Sequence, residues 1–461
     1  MLEERISQFK GLFPAGAHTE LRAQLNRSRG VVLVNGNLVN NARSDVSGVS
    51  ARVYQYGVYG FASMAEMSDE AAKSVLKAAS DNAGFLGRSA PRNLPMFGAQ
   101  PAGSVGLTLK VADAEQKTYI DFARALDSYV EAHCPGLVSR QIVVKEDSME
   151  KVLAVSDGTD SHSVVPRSYL YVVLCANDRD ETPVECVAIE CKLGSFGACF
   201  SDPAELYRKI DETYEELQKK REAVYPKAGL STVVLGGDLC GMLAHEAVGH
   251  TVEADLVNGG SVAGPMLGKQ VASPLVSLTD FAYEALGNPA PLPVYVDDEG
   301  TPATDAEIIK NGVLVGYMNN RETALKYGMK PNGNARGYLF SDEPLIRMRN
   351  TAILPGKSKL EDLIASVDDG YYLFRTNNGQ ADMTGEFMFG VNMGYEIKNG
   401  KLARPIKDTT ITGVAFDMLK TVDMVSDHMT WSSSGFCGKK QPMAVSMGGP
   451  EIRCKVTIGG R

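Results

Sequence analysis

The 461-residue chain predicts an α+β protein, with an α/β N-terminal half and a largely β C-terminal half that carries one motif-bearing helix. Three observations predict this. Short runs rich in Val, Ile, Leu and Tyr at 31–34, 51–56, 141–145, 151–155, 168–174 and 185–190 have strand length and are separated by turn chemistry. Stretches at 66–79, at 113–133 and after Asp202-Pro203 have helical character. The C-terminal half is studded with glycine and holds two hairpin signals, Asn311-Gly312 and Asn399-Gly400.

In order along the chain, the first 28 residues mix charged with apolar side chains and predict a helix. A β-rich stretch follows from Gly30 to Ser63. Residues 93–106, rich in Pro and Gly, read as an exposed loop. Asp202-Pro203 starts a helix with Pro at its first position. Leu206, Ile210, Tyr214 and Leu217 then share one face of that helix opposite a charged, solvated one. Residues 230–235 read as a strand, and Asp238 is the expected N-cap of the helix that follows it.

Length allows two or three domains. The expected division is 1–228, itself divisible at about 110, and 229–461. A hydrophobic content of 44% supplies a sizeable core, and a net charge of −9 argues against a general nucleic-acid binder, which needs a basic footprint. The first residues lack the apolar stretch of a secretory signal, and no apolar run reaches membrane-spanning length. Eight cysteines without CxxC spacing read as reduced thiols. The expectation is a cytoplasmic protein that does not contact membranes.

The chemistry concentrates in His245-Glu246-Ala-Val-Gly249-His250, which holds two of only six histidines. Imidazole is a common metal ligand, and a Glu beside a ligand His is how zinc peptidases place a general base. In H-E-x-x-H the histidines lie about 40° apart around the helix, whereas a five-residue spacing separates them by about 140°. One ion cannot easily take both unless the helix widens into an i→i+5 turn. The expected place is Val248-Gly249. Without such a turn, the two histidines are ordinary hydrogen-bonded side chains.

Gly241-Met-Leu-Ala-His-Glu-Ala-Val-Gly-His-Thr-Val-Glu-Ala-Asp255 resembles the signature of the TldD branch of the TldD/PmbA family, cytoplasmic zinc metallopeptidases once described as modulators of DNA gyrase. Further stretches resemble family motifs in order: Gly48-Val-Ser-Ala-Arg-Val, Gly57 to Ser63, Asp297-Asp-Glu-Gly-Thr-Pro302, Asn334-Ala-Arg-Gly337, Arg347-Met-Arg-Asn-Thr351 and Cys437-Gly-Lys. The resemblance implies that His245, His250 and Cys437 bind Zn2+ and that Glu246 is the general base. It also implies unfolded or leader peptides as substrates, and either a homodimer or a heterodimer with a sister subunit. A non-catalytic regulatory subunit, for instance a modulator of a DNA topoisomerase, is the alternative.

Other residues compete for roles. Cys454 alternates within a strand-like segment, whereas Cys437 lies in a loop able to approach a metal, so Cys437 is preferred as the thiolate ligand. Glu253 and Asp255 are either oxygen ligands, groups that orient a ligand His, or plain polar residues. His428 reads as a surface residue. Arg347 and Arg349 could clamp a peptide carboxylate or touch a partner, with structural salt bridges preferred. The glycine-rich run from Gly385 to Asn392 is the candidate for pairing with an extended peptide.

Overall fold

Six long strands build the first sheet. β1 (His18–Val34), β2 (Asn37–Gln55), β3 (Val58–Met64), β4 (Ser139–Val155), β5 (Asp160–Asn177) and β6 (Pro183–Leu193) pair antiparallel in the order β3-β2-β1-β4-β5-β6. The computed structural model describes residues 6–459 apart from 90–94, 96, 99–105, 112, 113 and 377. The proposed loop at 93–106 therefore lies largely outside the described residues.

Two features of this sheet differ from the sequence reading. The opening helix is confined to a short 3-10 helix, Ser7–Leu12, and β1 begins at His18, within the stretch expected to hold it. The charge that suggested a helix surface is instead strand charge at period two. Leu21 and Ala23 enter the core, while Glu20, Arg22 and Gln24 are also buried, with polar partners. The runs 141–145 and 151–155 belong to one continuous strand. Between them β4 is polar, yet it is paired on both sides, with β1 and with β5. Its buried Glu146 is satisfied by Tyr119 Oη at 2.9 Å and the Phe196 amide at 2.5 Å.

Helices cover this sheet as their apolar spacing requires. Asp69–Gly87 starts at Ser68, whose side chain accepts the Ala71 amide, and buries Ala72, Val75, Leu76, Ala79 and Ala83. Gln116–His133 packs Phe122, Leu126 and Val130 inward. Asp202 accepts the Ala204 amide at 2.9 Å, Pro203 opens a short turn, and the helix Tyr207–Arg221 buries Ile210 and Leu217.

The C-terminal half holds a nine-stranded mixed sheet with β7 (Gly229–Leu235) near its middle and a six-stranded sheet centred on Leu278–Phe281 and Asn350–Ile353. Both expected hairpins form, with Asn311-Gly312 and Asn399-Gly400 at positive φ between paired strands. Of the described residues a quarter are helical and 41% are in strands, an α+β fold.

After β7 the chain turns into the helix Gly237–Met242, which packs on strand Ser446–Gly449 of the six-stranded sheet. A Cβ at Gly241 would meet the Gly448 backbone at 3.0 Å, so helix and strand approach closely. Asp238 is not the N-cap. Gly236 occupies that position, and Asp238 sits in the first turn, where its carboxylate accepts the Leu239 amide.

The strand Glu386–Val391, expected to pair with a peptide, is interior, because Gly379–Ala381 and Thr409–Val414 already flank it. The outer strand at that end of the sheet is Gly379–Ala381.

The acidic turn at 297–299 ties the halves together. Asp298 accepts Arg22 at 2.7 Å and Lys151 at 2.6 Å, and Glu299 accepts Arg52 at 2.6 Å. Among the described residues, no helix is long and apolar enough to cross a membrane.

Candidate metal centre

The motif segment leaves the α-helical pattern. From Leu243 to Gly249 the backbone is a π-helix, and the His250 amide donates to the carbonyl of His245, five residues back. This is the widened turn that the five-residue spacing demands, and it spans seven residues instead of the last two alone. Gly249 is not where the backbone strains, since its φ of −53° is ordinary for a helix. Its role is steric: a Cβ there would lie 2.2 Å from Met348 Sδ and 3.0 Å from the Ala244 carbonyl.

The widened turn places the two imidazoles edge to face, with ring centroids 5.3 Å apart. Cys437 arrives from the hairpin formed by Phe436–Cys437 and Met443–Ala444. Its Sγ lies 3.4 Å from His250 Nε2. Ligand atoms of His245, His250 and Cys437 all lie within 4.8 Å of one another. Tetrahedral zinc with bonds of about 2.0–2.3 Å sets its donors about 3.3–3.7 Å apart. Both ring nitrogens of His245 are buried and lack a hydrogen-bond partner, which a histidine kept only for packing would not leave. The donor set of two nitrogens and one sulfur fits a zinc-type ion.

Glu246 reaches between the imidazoles, with Oε1 3.9 Å from His245 Nε2 and Oε2 3.7 Å from His250 Nε2. Its side chain stays partly exposed at 23%. Glu253 is fully buried and accepts His250 Nδ1 at 2.7 Å. That bond fixes the ring with Nε2 turned toward Cys437 Sγ. Burial works against a charged His250, but the Glu253 carboxylate and Cys437 outweigh it and raise the imidazole to about 10. Burial likewise raises the Cys437 thiol, and the two imidazoles reverse this, bringing it down to about 4. The thiolate is the form that binds metals.

Around this group the chain supplies a frame that the sequence did not reveal. Arg347 is fully buried, and its guanidinium donates to the carbonyls of Cys437 at 2.8 Å, Lys439 at 3.0 Å and Gln441 at 2.6 Å. Lys439 Nζ bridges Glu253 at 3.3 Å and Asp255 at 2.7 Å. Arg349 pairs with Asp280 at 2.8 Å. Arg347 and Arg349 thus hold the protein itself, Arg347 through carbonyls instead of a salt bridge. The adjacent Cys437-Gly-Lys and Arg347-Met-Arg words carried the only sequence signal, and nothing in them stated the contact.

The remaining candidates lie apart. Cys454 sits in strand Ile452–Ile458 opposite Val233, and burial drives its thiol strongly upward. His428 is largely exposed and lies 3.4 Å from Glu451. All eight cysteines are free thiols.

An α+β fold that closes over a His/His/Cys cluster beside a free glutamate is the arrangement of a metal-dependent hydrolase. The comparisons agree with that class. The family model described as PmbA/TldA metallopeptidase C-terminal domain matches residues 228–460, and that for PmbA/TldA metallopeptidase domain 1 matches 19–83. A Saccharolobus solfataricus protein named zinc metalloprotease TldD homolog is 30% identical over 72% of this chain and 74% of its own length. A Methanothermobacter thermautotrophicus metalloprotease is 29% identical over 96% and 95%. Among solved structures, a Thermotoga maritima protein described as a modulator of a DNA gyrase superposes with a TM-score of 0.77 at 21% identity, covering 99% of this chain and all of that one. TldE from Thermococcus kodakarensis gives 0.74 at 16%, covering 98% and all of its length. The chain belongs to the PmbA/TldA metallopeptidase family.

Proposed function

We propose that the protein is a zinc-dependent peptidase in which His245, His250 and Cys437 hold the ion and Glu246 is the general base. The observation that carries this reading is the widened turn, which brings two histidines five residues apart to one point beside a partly exposed carboxylate. When bound, zinc lowers the pKa of water toward neutrality and polarises the scissile carbonyl.

The chain's own residues do the rest. Glu246 Oε accepts a proton from the attacking water and returns it to the leaving amine. Glu253, through His250 Nδ1, keeps that ring in the tautomer with Nε2 free. Arg347 and Lys439 hold the Cys437 loop against the helix.

The substrates in this reading are unfolded or leader peptides. Strand Gly379–Ala381, at the end of the nine-stranded sheet and in contact with the π-helix, offers backbone groups to an added peptide strand, which would select extended chains over side-chain sequence. In this reading the chain assembles as a homodimer or with a sister subunit, as the family resemblance implies. Eight free thiols suit a cytoplasmic setting, and the catalytic residues all fall within 229–461. A purely regulatory subunit has no use for a glutamate poised between two imidazoles.

The test is Glu246→Ala in full-length protein. Metal content and thermal unfolding should match the wild type, while cleavage of an unfolded peptide should fall about 10²–10⁴-fold. Cleavage at the wild-type rate removes Glu246 from the role of base.

A further inference from the structure

Phe436 and Cys437 are neighbours on one strand, so their side chains leave it on opposite sides. Cys437 turns inward to the imidazoles and is 4% exposed. Phe436 turns toward the first sheet. Its ring meets Tyr169 edge to face at 6.3 Å, and the Arg167 guanidinium stands 5.5 Å from its centroid. The hairpin that carries both residues has two residue pairs and joins no larger sheet. Such a hairpin is at best marginally stable by itself. Gly435 and Gly438, which bracket the two residues, have open space where a Cβ would stand. The hairpin must be fixed from outside.

Arg347 grips it at and beyond the cysteine, through the carbonyls of Cys437, Lys439 and Gln441. The stretch before the cysteine is held by the first sheet. Arg167 Nη2 donates to the Ser433 carbonyl at 3.1 Å, and Cys191 Sγ donates to the same oxygen at 3.4 Å. Tyr171 Oη donates to the Ser434 carbonyl at 3.1 Å.

These donors form one surface. Arg167, Tyr169 and Tyr171 alternate along β5, and Cys191 on β6 is the register partner of Tyr169, so all four share a face. The opposite face, with Leu170, Val172 and Leu174, lies in the core with Phe122 and Leu126. Arg167 is buried, and its register partner on β4 is Asp147, whose carboxylate answers its charge. Set between that carboxylate and the rings of Tyr169 and Phe436, the guanidinium is a fixed point from which to hold the loop.

We infer that Arg167 and Tyr171 are positioning residues for Cys437: the first sheet holds the carbonyls of Ser433 and Ser434 and so sets where the thiol stands against His245 and His250. The metal centre is then completed by both halves of the chain, although its three ligands lie in one. The inference rests on the reading of Cys437 as a ligand.

The experiment has two arms, both in full-length protein. In metal-free protein, alkylation of Cys437 by iodoacetamide, mapped by peptide mass, reads how firmly the thiol is held. Tyr171→Phe removes one hydroxyl, and Arg167→Lys keeps a charge beside Asp147 and loses the fork. Each should speed alkylation of Cys437 about 2- to 10-fold, the loss expected for one hydrogen bond. Cys240 and Cys454, buried elsewhere, should react as in the wild type. The second arm is titration with cobalt(II), followed by the thiolate-to-cobalt absorption band. Each variant should bind cobalt about 2- to 10-fold more weakly, with a weaker band per bound ion. A residue that only stabilises the fold lowers the unfolding temperature and leaves band and affinity alone. Tyr171→Phe carries the test if Arg167→Lys fails to fold. Unchanged alkylation, or faster alkylation with unchanged cobalt affinity and band, overturns the inference. Wild-type protein that binds no cobalt, or binds it without a thiolate band, overturns the ligand reading instead, and alkylation alone then decides whether the first sheet holds the thiol.

Discussion

Arg347 Nη2 donates to the carbonyl oxygen of Cys437 at 2.8 Å, a contact between residues 90 positions apart. Three carbonyls of one short loop point at this single guanidinium, so the thiolate is presented to the histidines by a rigid fork. Arg347→Lys keeps the charge and loses the fork. Supporting residues of this kind typically contribute 10–100-fold to metal affinity, and a loss of about that size is expected in chelator competition. Unchanged metal retention would show that the loop holds its position without the arginine.

The ligand assignment separates two cysteines that sequence alone could only rank. Cys437→Ser should lower zinc content in protein purified without chelator, because a hydroxyl is a poor substitute for a thiolate at such a site. Cys454→Ser should keep the metal, since that side chain is packed in the nine-stranded sheet with no imidazole beside it. Elemental analysis decides, and the opposite pattern transfers the ligand role to Cys454.

What the sequence disclosed follows from how local each signal is. The Asn-Gly hairpins, the Asp202-Pro203 helix start and the widened turn each depend on a few neighbouring residues, and each appears in the structure. The failures needed distant partners. The residues at 146–150 look too polar for a strand until β1 and β5 are placed on either side, and residues 18–28 look like part of the opening helix until Arg52 and Asp298 pair with Glu20 and Arg22. The Cys437 loop repeats this: its cysteine and Arg347 were both legible as candidates, but the contact between Arg347 and the loop carbonyls was not, because no spacing rule links positions so far apart.

The joint between the halves contains a pH-sensitive buried ion pair. Glu20 accepts Arg52 in a forked pair at 2.9 and 3.1 Å and also contacts His18 at 3.1 Å, while Arg52 continues to Glu299. Burial opposes ionisation of Glu20, yet Arg52 and His18 outweigh it and hold the carboxyl at about 2, below its ordinary 4.5. A depressed carboxyl stabilises the fold fully above about pH 4.5, and that contribution is lost as the pH falls toward 2. It amounts to about 2–4 kcal/mol. Glu20→Gln should therefore be less stable than wild type at pH 7, and the gap should narrow from pH 4.5 to 2. Denaturant melts across that range measure it, and a gap independent of pH would exclude the ion pair as its source.

Residue 249 is a glycine for a steric reason. Its backbone is helical, so alanine is conformationally acceptable there. The obstacle is Met348, whose Sδ would lie 2.2 Å from the new methyl group, with the Ala244 carbonyl at 3.0 Å on another side. Met348 is 1% exposed and has little room to retreat. Gly249→Ala should destabilise by about 1–3 kcal/mol through overpacking. It should also weaken metal binding, because the shift falls next to His250. Met348→Ala alone should cost about 2–5 kcal/mol by leaving a cavity. In the double variant the alanine methyl enters the space that the methionine vacates, so the two losses should sum to more than the loss observed. A coupling of at least 0.5 kcal/mol is the range expected for residues in contact. Additive losses would instead trace the glycine to the backbone of the widened turn, and the steric account given for residue 249 would have to be abandoned.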